Sequence, residues 1–193
     1  MKLRKGHTVE LNIEKMAYGG RGIARLDGFV IFVRGTVPGD RILARIFKKK
    51  KDYAEAALVE LLDASSDRIE TACPYAGYCG GCQWQHVAYE KQLVFKREHI
   101  KEPLERIAGL KDVMVRPLLP SENIFGYRNK MEFSFSDRRW YLPRELHLKE
   151  KREGFALGLH VPGTYLKVID MAACLLQQQT GSDILREVGQ YVK

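Results

Sequence analysis

The stretch that decides the fold of the first third is Ile23-Ala24-Arg25-Leu26-Asp27-Gly28-Phe29-Val30-Ile31-Phe32-Val33. Asp-Gly between two apolar runs is a two-residue hairpin signal, because both central positions of the tight turn need positive φ, which these residues tolerate. Upstream, Thr8-Val9-Glu10-Leu11-Asn12-Ile13-Glu14 alternates apolar and polar as a half-buried strand does, and Tyr18-Gly19-Gly20-Arg21-Gly22 reads as a loop. Downstream, Val37-Pro38-Gly39-Asp40 turns the chain into Arg41-Ile42-Leu43-Ala44-Arg45-Ile46-Phe47, and Lys48-Lys49-Lys50-Lys51-Asp52 is a basic loop. Tyr53 to Leu62 is apolar and fits helix or strand. Five short strands in residues 7–62 predict a small closed β barrel of the OB type, an architecture that hides its edges and often binds nucleic acid.

Beyond the barrel (domain 1–62), residues 63–72 open with the polar run Asp63 to Glu70 and read as a linker. Residues 73–193 are then expected to form an α+β domain. A helix is expected from Val87 to Leu110, with Tyr89, Leu93, Ile100, Leu104 and Ile107 near helical spacing and Pro103 breaking or kinking it. Met131 to Ser136, Phe155 to His160 and Tyr165 to Asp170 read as strands, and Leu175 to Val192 as a closing helix. The stretch Gly126 to Phe133, taken as strand, places Arg128, Lys130 and Glu132 on one face and Met131, Phe133 and Phe135 on the other.

Of 193 residues, 45% are hydrophobic and 29% charged, as in an ordinary soluble globular protein. No run approaches the length of a membrane span, and the basic N-terminus has no apolar stretch behind it, so a cytoplasmic protein with no membrane partner is expected. The net charge is +8, of which residues 1–62 carry +6 and the remainder +2. A small basic domain ahead of a near-neutral one suggests a polyanion-binding module. The candidate RNA contacts are Lys15, Tyr18, Arg21 and Arg25 around the glycine loop, Lys48, Lys49 and Lys50 on the basic loop, and Arg128 and Lys130 further on. Phosphate contacts from such residues are salt-dependent, and Tyr18 offers a ring on which a base can stack. No Ser-His-Asp grouping, P-loop or G-x-G-x-x-G motif is present, and His7, His86, His99, His147 and His160 form no ligand spacing.

The chain has four cysteines: Cys73, Cys79 and Cys82 in Cys73-Pro-Tyr-Ala-Gly-Tyr-Cys79-Gly-Gly-Cys82, and the distant Cys174. Thiolates gathered in one loop suit an iron–sulfur cluster or zinc. Three ligands in one loop and one remote fit a cubane better than a two-knuckle zinc site. Zinc and no metal at all stay open on spacing alone. The glycines let the backbone approach a cluster and point N–H groups at its sulfur. Trp84, beside the loop, is expected to shield it from solvent.

Together these residues resemble the RNA uracil-C5 methyltransferases that carry an N-terminal TRAM domain and an iron–sulfur cluster, the 23S ribosomal RNA enzymes among them. The resemblance covers the whole chain. It rests on Ala17-Tyr18-Gly19-Gly20-Arg21-Gly22 and Val37-Pro38-Gly39-Asp40 for the TRAM domain, and on the cysteine loop continued as Gln83-Trp84-Gln85-His86. Tyr127-Arg128-Asn129-Lys130, Leu157-Gly158-Leu159-His160 and Asp170-x3-Cys174 match the central domain. It implies a 4Fe–4S cluster held by Cys73, Cys79, Cys82 and Cys174, RNA as partner (ribosomal before transfer RNA), and a monomer. Members of that family end in a doubly wound domain that binds S-adenosylmethionine and supplies a nucleophilic cysteine and a carboxylate base. The resemblance therefore implies that this chain is the N-terminal recognition part and holds no catalytic residue of its own. The alternative reading is a stand-alone RNA-binding protein with a four-cysteine zinc site.

Overall fold

A computed structural model describes residues 3–146 and 154–192, so His147 lies outside the described residues. The chain divides into two compact units, Met1–Thr71 with Gln83–Pro120, and Ala72–Cys82 with Ser121–Lys193.

In the first unit, β1 (Thr8–Asn12), β2 (Lys15–Ala17), β3 (Arg21–Leu26), β4 (Phe29–Arg34), β5 (Arg41–Lys49) and β6 (Tyr53–Asp63) form one sheet in the order β1-β5-β6-β4-β3-β2. Asp27 and Gly28 join β3 to β4 with φ of 51° and 80°, the double positive φ their identities led us to expect. The sheet curls strongly into a half-barrel. Its ladder between β5 and β6 is interrupted by three register shifts, and each such irregularity adds bend and twist. The end strands β1 and β2 are consecutive segments of one bent stretch, turned at Ile13, whose N–H donates to Asp40 O at 2.9 Å. That bend makes six strands where five were expected. The inward positions Val9, Leu11, Ile13, Ala24, Ile31, Val33, Ile42, Ala44, Ile46, Ala54 and Ala56 form the core. Tyr53 to Leu62 resolves as strand, because Ala54 and Ala56 alternate into this core opposite Ile31 and Val33.

The linker expected at 63–72 is instead tied to the half-barrel. Asp40 is fully buried and gathers Arg68, at 2.5 Å from Nη2 and 3.2 Å from Nε, the N–H of Ser65 at 2.9 Å and its neighbour Val37 N–H at 2.6 Å. Burial opposes ionisation of this carboxyl, yet the Arg68 hydrogen bond, the two N–H groups and the Arg68 charge together hold it below the usual carboxylate range.

The helix α1 (Tyr89–Arg106) also falls within this first unit, not with the residues of the expected 73–193 domain. The reason is a second small core, in which Phe95 and Val87 pack with Met16 and Val37 under Trp84. Pro103 does not break the helix. It sits in the last turn, where only one intrahelical bond is lost, and Ile107 N–H still reaches Pro103 O at 2.9 Å.

The second unit is α+β, built from short elements. β7 (Ser134–Ser136) pairs antiparallel with β9 (Ala156–Gly158), β8 (Arg139–Trp140) pairs parallel with β10 (Val168–Ile169), and α2 (Gln179–Val192) closes the unit. Leu142, Leu157, Ile169, Met171, Leu176 and Leu185 form its core with Cys79 and Cys174. The strand expected through Gly126–Phe133 is absent, because Gly126 and Arg128 give their N–H groups to Leu175 O and Leu176 O instead of a neighbouring ladder. The side-chain alternation survives only in part. Met131 and Phe133 pack on the core, while Phe135 is exposed and meets Phe155. No helix among the described residues is long and apolar enough to cross a membrane.

Candidate nucleic-acid interface and cysteine centre

The outward face of the half-barrel carries Lys15, Arg21, Arg25 and Lys48 of the candidate RNA contacts. Strand register places Lys15 opposite Ile23, Ile23 opposite Phe32, Phe32 opposite Glu55, and Glu55 opposite Lys48, which makes one row across five strands. Arg21 lies over the Phe32 ring at 5.0 Å and reaches Glu55 at 3.6 Å; Lys48 reaches the same carboxylate at 2.7 Å. The Lys48 hydrogen bond leads in lowering the Glu55 carboxyl below its ordinary value, against burial. Phe32 and Tyr53 meet edge to face, with centroids 5.7 Å apart. Phe32 under the Arg21 guanidinium, with Tyr53 edge on beside it, forms a half-buried surface on which an unpaired base can stack. Sequence reasoning missed Phe32, Tyr53 and the exposed Arg34. The signal was the continuous apolar run of β4, whose even-numbered members face outward once the hairpin register is fixed.

The other candidates divide by partner. Arg25 is held by Glu14 at 2.5 Å, and Lys49 stands 5.2 Å from the Phe29 ring. Lys15 and Lys50 are exposed and, among the described residues, carry no ion pair. Tyr18 is 88% exposed beside the glycine loop and touches the His99 ring edge on, at 5.9 Å. Arg128 and Lys130 lie in the second unit, both exposed, with Lys130 paired to Glu132 at 2.7 Å. Trp84, expected to shield the cysteine loop, packs in the first unit against Phe95 and His99, with its Nε1 buried beside Gly20 and, among the described residues, without a hydrogen-bond partner.

All four cysteines are thiols, and all four fall in the second unit. The loop is fixed by backbone bonds from Ala76 to Cys73 O and from Cys79 to Tyr75 O, and the Tyr75 hydroxyl accepts the N–H of Ala172, two residues from Cys174. Gly80 donates to His160 O at 3.0 Å, where a Cβ would be too close, and Gly81 donates its N–H to Cys79 Sγ at 3.3 Å. Ser182, in the first turn of α2, accepts the Cys174 N–H at 3.2 Å. Burial pushes the Cys79 thiol up against the Gly81 N–H, and Cys82, Cys174 and Cys73 each push it further. Burial likewise raises Cys73. Among the described residues, no three His, Cys, Asp or Glu side chains converge with the spacing of a metal-ligand set. The donor set fits a soft metal centre in kind and number: four thiols from two distant stretches fall in one unit, Cys79, Cys82 and Cys174 pack in its core, and a backbone N–H is aimed at the Cys79 sulfur.

Comparison with known proteins follows this division. The sequence matches the TRAM domain over residues 2–59. An uncharacterized RNA methyltransferase of Chlorobaculum tepidum is 40% identical over 189 residues, which is 96% of this chain and 39% of that protein. One from Clostridium tetani is 36% identical over 193 residues, or 100% of this chain and 40% of that protein. The chain thus spans about two fifths of the length of these curated relatives. Among solved structures, the Pyrococcus abyssi tRNA (uracil-54, C5)-methyltransferase in complex with S-adenosyl-L-homocysteine matches 94% of this chain and 36% of its own. The TM-score is 0.56 and the identity 24%, a likeness of fold. Residues 2–59 are therefore a TRAM domain, and along its whole length the chain is a relative of proteins named RNA methyltransferases.

Proposed function

We propose that this chain is the RNA-recognition part of an S-adenosylmethionine-dependent RNA uracil-C5 methyltransferase acting on ribosomal RNA. The observation that carries the reading is the outward TRAM face, where Arg21 covers Phe32, Tyr53 meets Phe32 edge on, and Lys15 and Lys48 end the same row. Rings accept unpaired bases of any identity, and the flanking cations meet phosphates. A uracil inside a folded RNA must leave its stack before C5 can be reached, so a surface that holds neighbouring bases open serves such chemistry.

Cys73, Cys79, Cys82 and Cys174 would hold a 4Fe–4S cluster. When bound, it would supply a covalent tie between the cysteine loop and the start of α2, since methyl transfer from a sulfonium needs no electron. With all four thiols so committed, none remains to attack uracil C6. The nucleophile, the base and the S-adenosylmethionine site therefore belong to sequence outside these 193 residues, and this chain transfers no methyl group by itself.

The test measures binding of the 193-residue protein to a ribosomal RNA hairpin, a transfer RNA and duplex DNA across a salt series, with iron and sulfide analysis of anaerobically prepared protein. The reading expects tightest binding to the ribosomal hairpin, a steep salt dependence, and about four irons and four sulfides per chain. Equal affinity for duplex DNA overturns the RNA assignment, and stoichiometric zinc without sulfide overturns the cluster.

A further inference from the structure

The hairpin that carries β9 and β10 extends beyond both strands into a tip that no core uses. Its stalk is a ladder in which Met171 N–H donates to Leu157 O at 3.0 Å, Ile169 N–H to Leu159 O at 3.0 Å, and Val161 N–H to Lys167 O at 2.9 Å. The turn above it, Pro162-Gly163-Thr164-Tyr165-Leu166, is held firmly. Thr164 donates to Val161 O from its N–H at 3.1 Å and from its hydroxyl at 2.9 Å, and Gly163 takes a φ of 75°. The stalk is braced at His160 as well, whose O accepts the Gly80 N–H at 3.0 Å and whose Nε2 lies 2.8 Å from Ser134 Oγ.

This rigid tip presents two large apolar side chains to water, Tyr165 at 93% and Leu166 at 87% exposure. A lone exposed apolar residue needs no explanation. Here a ring and a branched aliphatic chain stand side by side at the apex of a braced hairpin. Lys167 follows, exposed and without an ion pair among the described residues. No carboxylate occurs between His160 and Ile169.

We propose that this tip is a wedge for unpaired RNA. Tyr165 stacks on an exposed base, Leu166 enters the step beside it, and Lys167 meets the adjoining phosphate. Stacking on a tyrosine tolerates any base, apolar side chains part base steps in other nucleic-acid complexes, and lysine binds phosphate without regard to sequence. The wedge rests on the reading of this chain as RNA-binding, and would add to the TRAM face a second contact in the other unit, one that relies on stacking and apolar insertion as well as on Lys167. The cationic flank and the absence of acid favour RNA over a protein partner.

The test uses the 193-residue protein and a labelled 12-nucleotide single-stranded RNA with 5-iodouridine at its centre. Fluorescence anisotropy reads affinity, and photocrosslinking with mass spectrometry reads the site. The expected result is a crosslink at Tyr165. Tyr165→Ala with Leu166→Ala should weaken binding by roughly ten-fold while leaving the salt slope and the melting curve unchanged. Tyr165→Phe should keep the affinity. If the wild-type protein does not bind this RNA, the RNA reading falls and the wedge with it. If it binds with salt dependence and the double variant binds equally well, the wedge alone is overturned. A double variant that loses self-association in sedimentation while keeping RNA affinity overturns it too, and makes the tip a protein contact.

Discussion

The ion pairs of the half-barrel decide which of its cations remain available to RNA, and a charge-balanced comparison exposes the difference. Arg25 is already neutralised by Glu14 at 2.5 Å, and Lys48 by Glu55 at 2.7 Å. Lys15 and Lys50 carry no ion pair among the described residues, and Lys49 stands over the Phe29 ring. Replacing Lys15, Lys49 and Lys50 with glutamine removes three candidate phosphate contacts. For a single-stranded RNA each contact contributes about 0.7 to the slope of log affinity against log salt, so the triple variant should lose about 2 from that slope. The control is Glu14→Gln with Arg25→Gln, which deletes an ion pair without changing net charge and should leave the slope in place. Anisotropy titrations at four salt concentrations measure both. A triple variant whose slope stays within about 0.5 of wild type, or a control that loses as much as the triple, would refute the assignment of these lysines as the phosphate contacts.

Asp40→Asn leaves Arg68, whose side chain is only 19% exposed, without its counter-charge, and should cost about 3–5 kcal/mol of the first unit's stability. Urea unfolding read by Trp84 fluorescence in a Trp140→Phe background isolates that unit, and a loss below about 1 kcal/mol would contradict the buried pair. Acid should act on the same unit in two stages. Burial, then the Arg68 charge, depress the His86 pKa below 6.5, so its stability contribution is present above 6.5 and is lost as pH falls from there toward the folded value. Asp40, depressed below 3.8, contributes fully above that value and only fails as pH falls through its still lower folded pKa. The first stage should vanish in His86→Gln while the second persists. Gly20 has a φ of 78°, and a Cβ there would stand 2.8 Å from Trp84 Nε1 and from Gln83 Oε1, so Gly20→Ala should cost about 1–3 kcal/mol and shift the Trp84 emission. An unchanged spectrum and midpoint would refute that packing.

What the sequence made legible was local. The Asp27-Gly28 turn depends on two residues and their immediate neighbours, so its hairpin was readable, and the alternation of β1 was readable from its own residues. The segment after Asp63 looked like a linker because its own residues are polar. Its order comes from Asp40, which is 25 residues from Ser65 and 28 from Arg68 in the chain, beyond any periodicity window. The helix at 89–106 was readable as a helix, but its place was not. Only Phe95 is buried on it, and its partners Met16 and Val37 belong to the half-barrel. At Tyr127 to Phe133 the alternation was present in the residues, yet the backbone bonds run to Leu175 and Leu176, so the pattern marked a face and not a strand. The spacing of the loop cysteines was legible, and they fall in one unit with Cys174. Their fixing was not, since it comes from Tyr75, His160 and Ser182, none of which is itself a ligand type in that motif.

On the proposed reading, the charge arrangement also limits how the half-barrel would recognise RNA. A net charge of +8 suggests strong attraction to any polyanion, but Arg21, Arg25, Arg41 and Lys48 spend much of their field on Glu55, Glu14, Glu10 and Asp63 within the same sheet. Exposed pairs of this kind add little stability, about 0–1 kcal/mol each, so their chief consequence is to lower the free positive charge. A duplex offers mainly phosphates and would gain only from the unpaired lysines. An unpaired stretch also offers ring faces, and the Phe32–Tyr53 pair and Tyr18 can use them. Internal neutralisation therefore weakens indiscriminate binding more than it weakens binding to open RNA. That balance suits the proposed reading of the half-barrel as a module for unpaired RNA.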